Sequence, residues 1–162
     1  MSVPIVFDEW VFEDLSGKNG GRKQQETFNL FVALFHICDK VVILEDSPFI
    51  EKWRHFYERA QSDLKRRAMS RYLESTIFTN KHKVYPIASS DIKPLADDIK
   101  KLVPPSDHYL IQAYLKVRQK NAFLVTTDKK WDHKKLAKKH FDIRLRDPFI
   151  KDYIARQNLG VG

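Results

Sequence analysis

Short apolar runs alternate along the chain with longer segments whose apolar residues recur every three or four positions. The short runs at residues 3–8, 41–44, 84–87, 123–126 and 143–145 predict buried β-strands. The longer periodic segments between them predict helices. Because strands that alternate with helices are joined by crossover connections, we expect an α/β fold, a three-layer α/β/α arrangement with a central parallel sheet of four or five strands.

Helices are predicted in six segments of the chain. They cover residues 22–38, 47–73 (with room for a break), 91–102, 106–119, 134–140 and a terminal segment that starts at residue 147. Gly17, Gly20 and Gly21 predict a flexible loop before the first helix. We expect a single domain over residues 1–157, with a basic helical extension at residues 52–83 and a frayed C-terminus at residues 158–162.

Composition narrows the class of protein. The 162 residues are 43% hydrophobic, which suits one domain with a sizeable core. No apolar run is long enough to span a membrane, and no secretion signal is visible. Cys38 is the single cysteine, and we expect it to be buried as a small hydrophobe. These features favour a cytoplasmic protein with no membrane partner.

The formal net charge of +8 indicates a polyanionic partner, of which nucleic acid is the commonest. Basic residues concentrate at residues 52–83 and 129–139. Trp53 and Phe56, within the first of these segments, have helical spacing and are predicted core residues. The best candidates for nucleic-acid contact are Lys65, Arg66, Arg67, Arg71, Lys129 and Lys130.

Three aspartates occupy positions where parallel strands and their helices meet. Asp8 ends the first apolar run, Asp107 opens a helix, and Asp128 follows the strand at residues 123–126. Taken singly, Asp107 could complement a helix dipole and Asp128 could belong to a turn. Because the carboxyl ends of parallel strands face one crevice, we expect all three to converge there, where a cation would offset their repulsion. If the first strand continues, Asp8 and Glu9 point to opposite faces of the sheet, so only one of them enters that crevice.

The motifs around these aspartates resemble the PIN domain, a family of small metal-dependent nucleases. The motifs are Ile5-Val6-Phe7-Asp8, Asp107 followed by Gln112-Ala113, and Leu124-Val125-Thr126-Thr127-Asp128. The resemblance spans roughly residues 3–155. It implies that Asp8, Asp107 and Asp128 bind metal and that Thr126 is the hydroxyl residue of the site. The fourth family acid corresponds to Glu51, with Glu45 as the competing position.

The resemblance implies a metal-dependent endoribonuclease that hydrolyses RNA phosphodiester bonds with Mg²⁺ or Mn²⁺, since carboxylates are hard ligands suited to these ions. DNA is not excluded as a substrate. The alternatives are a PIN-like domain that binds RNA without cutting it, a toxin of a toxin–antitoxin pair, and a phospho-accepting receiver-type domain that uses Asp8. The resemblance also suggests a homodimer, and the sequence leaves open whether an antitoxin protein binds the chain.

Overall fold

The computed structural model describes residues 2–158, and its centre is one parallel sheet of five strands. The strands are β1 (Pro4–Phe7), β2 (Lys40–Leu44), β3 (Val84–Ile87), β4 (Phe123–Thr126) and β5 (Ile143–Leu145). Their order across the sheet is β3-β2-β1-β4-β5. All five predicted strands are confirmed. The central strands β1, β2 and β4 are mainly buried, whereas the edge strands β3 and β5 are mostly half-buried or exposed.

The order in which strands are added to the sheet changes side after β3, although all strands stay parallel. The chain first moves outward from β1 to β2 and β3, and then returns to the other side of β1 to form β4 and β5. In register, Ile5 of β1 lies opposite Val41 on one side and Phe123 on the other. The gap between β1 and β4 is therefore the topological switch point, the place where open α/β sheets usually bind ligands.

Eight α-helices cover the two faces of the sheet over the described residues. They are α1 (Trp10–Leu15), α2 (Gly21–His36), α3 (Pro48–Ala60), α4 (Leu64–Leu73), α5 (Asp97–Lys100), α6 (His108–Val117), α7 (His133–Lys138) and α8 (Arg146–Asn158). Ile5 and Phe7 pack with α1, α2, α3 and α8, whereas Val6 packs with α6 and α7. Since neighbouring strand residues point to opposite faces, the protein has two cores and three layers, as predicted.

The helix predicted at residues 91–102 is wrong. The structure has a 3₁₀ turn at Ser89–Asp91 and then only the short α5. Pro94 explains the difference, because proline lacks a backbone N–H and disfavours helical geometry in the residue before it. Helix α1 was not predicted and occupies the stretch between β1 and the glycine loop.

The basic segment at residues 52–83 lies in the helical layer. It contains most of α3, all of α4 and a π-helical turn at Glu74–Phe78. Phe56 and Ala60 are buried, as expected from their spacing, and Leu73 and Ile77 are fully buried in the same core. The predicted break in the long helix is present at residues 61–63, where Asp63 is extended.

The prediction for Cys38 is wrong, since its side chain is exposed. Helix α2 ends at His36 and Ile37 is already extended, so Cys38 leaves the apolar face that its spacing suggested. The terminal helix begins at Arg146 and its last residue is Asn158. The remainder of the expected frayed segment, residues 159–162, lies outside the described residues. Within residues 2–158, no helix is long and apolar enough to cross a membrane.

A buried ion pair joins α8 to the first two helices. Arg146 is 3% exposed, and its Nε lies 2.7 Å from Asp14 Oδ2. The Thr27 hydroxyl donates a hydrogen bond to the same carboxylate at 2.8 Å. The guanidinium also lies 5.5 Å from the ring centre of Trp10, next to the end of β1. This pair anchors the helices that frame the carboxyl edge of the sheet.

Candidate active site

Asp8 and Asp128 come from the two strands that flank the switch point. Asp8 follows the last residue of β1, and its backbone N–H donates to the Val125 carbonyl of β4 at 3.2 Å. Asp128 lies two residues beyond the end of β4. The expected convergence of these two residues thus follows from the pairing of β1 with β4.

Thr126 connects the two aspartates. Its side chain is fully buried, and its hydroxyl donates to Asp8 Oδ2 at 2.8 Å. The same oxygen accepts a hydrogen bond from the Asp128 backbone N–H at 3.0 Å. Because the hydroxyl makes both bonds, Thr126 orients Asp8 and the loop that carries Asp128 together.

Asp107 reaches the same site from the helical layer that contains α6. It belongs to a 3₁₀ turn at Pro105–Asp107 and precedes α6, and its carboxylate does not cap that helix. Instead, Asp107 Oδ2 accepts a hydrogen bond from Trp131 Nε1 at 3.1 Å. Burial raises the pKa of Asp107, and the neighbouring Asp128 carboxylate raises it further, whereas the bond from Trp131 lowers it.

The Asp8 carboxyl is the most strongly perturbed acid of the site. Burial raises its pKa from 3.8 to about 6, against the opposing effect of the Thr126 hydrogen bond. The Asp107 charge adds to the increase. Within residues 2–158, no side-chain nitrogen of a lysine, arginine or histidine lies within 4.0 Å of a carboxylate oxygen of Asp8, Asp107 or Asp128. Uncompensated acids held together in this way attract cations.

The chemistry of these donors fits a hard divalent cation, which prefers carboxylate oxygens. The Asp107 and Asp128 carboxyls lie close enough together to interact directly. In the described part of the chain, no three His, Cys, Asp or Glu side chains form a group that could hold a metal ion.

Glu9 is an acid of the site that the sequence reasoning missed. The strand ends at Phe7, so the alternation that would place Asp8 and Glu9 on opposite faces does not extend to these two residues. Glu9 lies at the start of α1, and its Oε1 accepts a hydrogen bond from the Tyr109 hydroxyl at 3.4 Å. Burial and the Asp107 charge raise the pKa of Glu9, while Lys52 lowers it. The apolar spacing of Trp10, Val11 and Leu15 was the available signal for a helix here.

Neither predicted candidate for the fourth acid contacts the three aspartates. Glu51 is exposed in the first turn of α3, and its carboxylate has no hydrogen bond or ion pair with any described residue. Glu45 is exposed beyond β2, where its Oε2 accepts from the Ser89 backbone N–H at 3.3 Å. Glu9 is thus the fourth acid that the fold brings next to Asp8 and Asp107.

The loop after β4 holds Asp128 in a fixed orientation. The Lys130 backbone N–H donates to Asp128 Oδ1 at 2.7 Å. His133 Nε2 lies 2.6 Å from the Asp128 carbonyl, and it must carry the proton because a carbonyl oxygen only accepts. His133 also stacks on Trp131, the donor to Asp107. The loop therefore links two of the three aspartates.

The side chains predicted to contact nucleic acid differ in their exposure to solvent and in whether they already have a partner within the protein. Four of the six are exposed, namely Lys65, Arg71, Lys129 and Lys130. The other two, Arg66 and Arg67, are half-buried. Arg66 pairs with Asp63 at 3.2 Å, and Arg71 Nε donates to Gln61 Oε1 at 3.2 Å. Lys129 and Lys130 directly follow Asp128 in the chain, so they lie beside the acidic site.

Comparison with protein-family models, with curated proteins and with solved structures finds no match to this chain.

Proposed function

We propose that this chain is a metal-dependent endoribonuclease that hydrolyses RNA at the site formed by Asp8, Asp107 and Asp128. One observation carries the proposal. Three partly buried carboxylates from separate elements meet at the topological switch point, and none of them forms an ion pair with a basic side chain of the described residues. Such a cluster costs stability, so its presence favours a role in binding a cation and a phosphate.

The three aspartates are the proposed ligands of Mg²⁺ or Mn²⁺, with Glu9 as the fourth acid in place of the predicted Glu51, which contacts none of them. A bound divalent ion of this kind supplies activated water and stabilises charge on phosphoryl oxygens. Thr126 is a positioning residue, because its hydroxyl bonds orient Asp8 and the Asp128 loop. A protein nucleophile is not required for this chemistry.

Cleavage of a labelled single-stranded RNA tests the proposal. We expect cleavage with Mn²⁺ or Mg²⁺ and none with EDTA. Asp8→Asn and Asp128→Asn should abolish cleavage while leaving RNA binding intact or stronger, because each removes a negative charge near the phosphate. Asp142→Asn is the matched control, since Asp142 is exposed and forms a surface pair with Arg144.

Cleavage of equal rate in EDTA, or by an Asp8→Asn/Asp128→Asn double variant, would refute the metal mechanism. A DNA of the same sequence, assayed in parallel, determines whether the ribose 2′-hydroxyl matters. The homodimer and the antitoxin partner remain predictions of the family resemblance.

The second candidate is a PIN-like domain that binds RNA without cutting it. It is favoured by the spacing of the carboxylates, which form no three-ligand group within residues 2–158. RNA binding without metal-dependent cleavage would support this candidate. The receiver-type alternative loses support, because receivers have the strand order 2-1-3-4-5 rather than the 3-2-1-4-5 order of this sheet.

A further inference from the structure

A cavity of about 530 Å³ lies between α1 and α3, next to the acidic site but separate from the three aspartates. Its floor is apolar and includes the buried rings of Phe12 and Phe56, whose centres are 6.2 Å apart. This volume is large enough for a small molecule or a short polymer segment and much larger than a single ion needs.

Basic side chains surround this floor. The residues that line the cavity include Lys18, Lys52, Arg59, Arg66 and His55. Glu13 is the only acid among the lining residues that the structure describes. Arg66 is already paired with Asp63, whereas Lys18, Lys52 and Arg59 are exposed and take part in no ion pair with the described residues. The cavity therefore offers unpaired positive charge around an apolar surface.

Helix α1 connects this cavity to the acidic site. It begins at Trp10, two residues after Asp8, and its residues Phe12 and Glu13 line the cavity. Lys52, an exposed residue of α3, lines the same cavity from the other helix. A chain molecule that crosses the aspartates can therefore continue along α1 into the cavity without leaving the surface.

We propose that the cavity between α1 and α3 binds the phosphates of the single-stranded RNA segment adjacent to the cleaved bond, with Lys18, Lys52 and Arg59 as the phosphate contacts. This inference rests on the proposed function, since it takes the same RNA as the occupant. The charged backbone of a polynucleotide matches the basic rim of this cavity, because exposed lysine and arginine side chains can follow successive phosphates. These residues were not the predicted contacts, which lie mostly on α4 and after β4.

Fluorescence anisotropy of labelled RNA, measured in EDTA so that no cleavage occurs, tests the inference. The test variant is the double substitution Lys18→Gln/Arg59→Gln. The matched control is Arg54→Gln/Lys151→Gln, which removes the same charge from exposed residues that neither line the cavity nor belong to the predicted nucleic-acid contacts. All four side chains are exposed, and thermal melting checks that both variants fold.

The salt dependence of binding is the deciding measurement. Each phosphate contact on a single strand contributes about 0.7 to the slope of log K against log salt, so the test variant should lower the slope by about 1.4 and the control should not. Wild-type protein should bind an RNA of about 16 nucleotides more tightly than one of about 4, because only the longer strand reaches both regions. The test variant should lose most of this difference.

Equal slopes in the test and control variants, or no effect of RNA length on wild-type binding, would overturn the inference. The two proposals fail in different ways. If the protein cleaves RNA with Mn²⁺ but Lys18→Gln/Arg59→Gln has no selective effect on binding, only the proposed role of the cavity is rejected. A selective loss of binding in a protein that never cleaves RNA or DNA rejects the nuclease and retains the cavity.

Discussion

Replacing Asp8 by asparagine is expected to stabilise the folded protein above pH 6 and to have no such effect near pH 4. Burial raises the pKa of Asp8 from 3.8 to about 6, which means that the folded state binds a proton at this site more tightly than the unfolded state does. Folding is therefore favoured at low pH. The favourable contribution is complete below about pH 4 and is lost as the pH rises through 6.

The size of the effect follows from this difference in pKa. A tenfold change in a protonation equilibrium corresponds to about 1.4 kcal/mol, so the charged Asp8 costs about 3 kcal/mol at neutral pH. Asparagine has one carbonyl oxygen, whereas Asp8 accepts hydrogen bonds through both oxygens, from Thr126 and from the Glu9 backbone. The lost bond costs about 1 kcal/mol, so we expect a net stabilisation of about 2 kcal/mol at pH 8.

Urea unfolding of wild type and Asp8→Asn at a series of pH values measures this. The difference between their free energies of unfolding should change by about 3 kcal/mol between pH 4 and pH 8. Added Mn²⁺ should stabilise the wild type more than the variant at pH 8, since ligands that bind the native state shift unfolding. A difference that does not vary with pH would refute the reasoning, because it would mean that Asp8 is not destabilised by its burial.

Three further predictions concern other parts of the molecule. Thr126→Val removes the hydrogen bond that lowers the pKa of Asp8, so this pKa should rise above about 6 in a carboxyl-carbon NMR titration; an unchanged value would contradict the assigned contact. Arg146→Met should lower the free energy of unfolding in urea by about 3–5 kcal/mol, because it leaves Asp14 charged and buried, and a loss typical of a surface pair would contradict this. Cys38 should react completely with an aromatic disulfide reagent in native buffer; reaction only after denaturation would show that it is buried.

The candidate site was largely predictable because its main residues follow strands that are easy to identify. Asp8 and Asp128 lie next to short apolar runs, and these runs became β1 and β4. Thr126, whose hydroxyl contacts Asp8 and the Asp128 backbone, was indicated by the resemblance to the PIN domain. Residues at strand ends are predictable since the geometry of a parallel sheet brings those ends together.

Glu9 was not predictable in the same way. Its role depends on β1 ending at Phe7 and on α1 starting at Trp10, and short elements next to each other give weak periodic signals. The incorrect helix at residues 91–102 arose similarly, from an apolar spacing that Pro94 interrupts. Boundaries of this kind depend on how the neighbouring layers pack, which a local pattern does not contain.

Local pattern alone determined the five strands, the three-layer class and the positions of the three aspartates along the chain, because these follow from side-chain periodicity. Tertiary packing decided which strand lies beside β1, which acid accompanies the aspartates and how far apart the carboxylates lie. It also created the basic cavity, whose residues come from α1, the following loop, α3 and α4. Such contacts join residues that are distant in the chain, so their geometry arises only when the helices pack on the sheet.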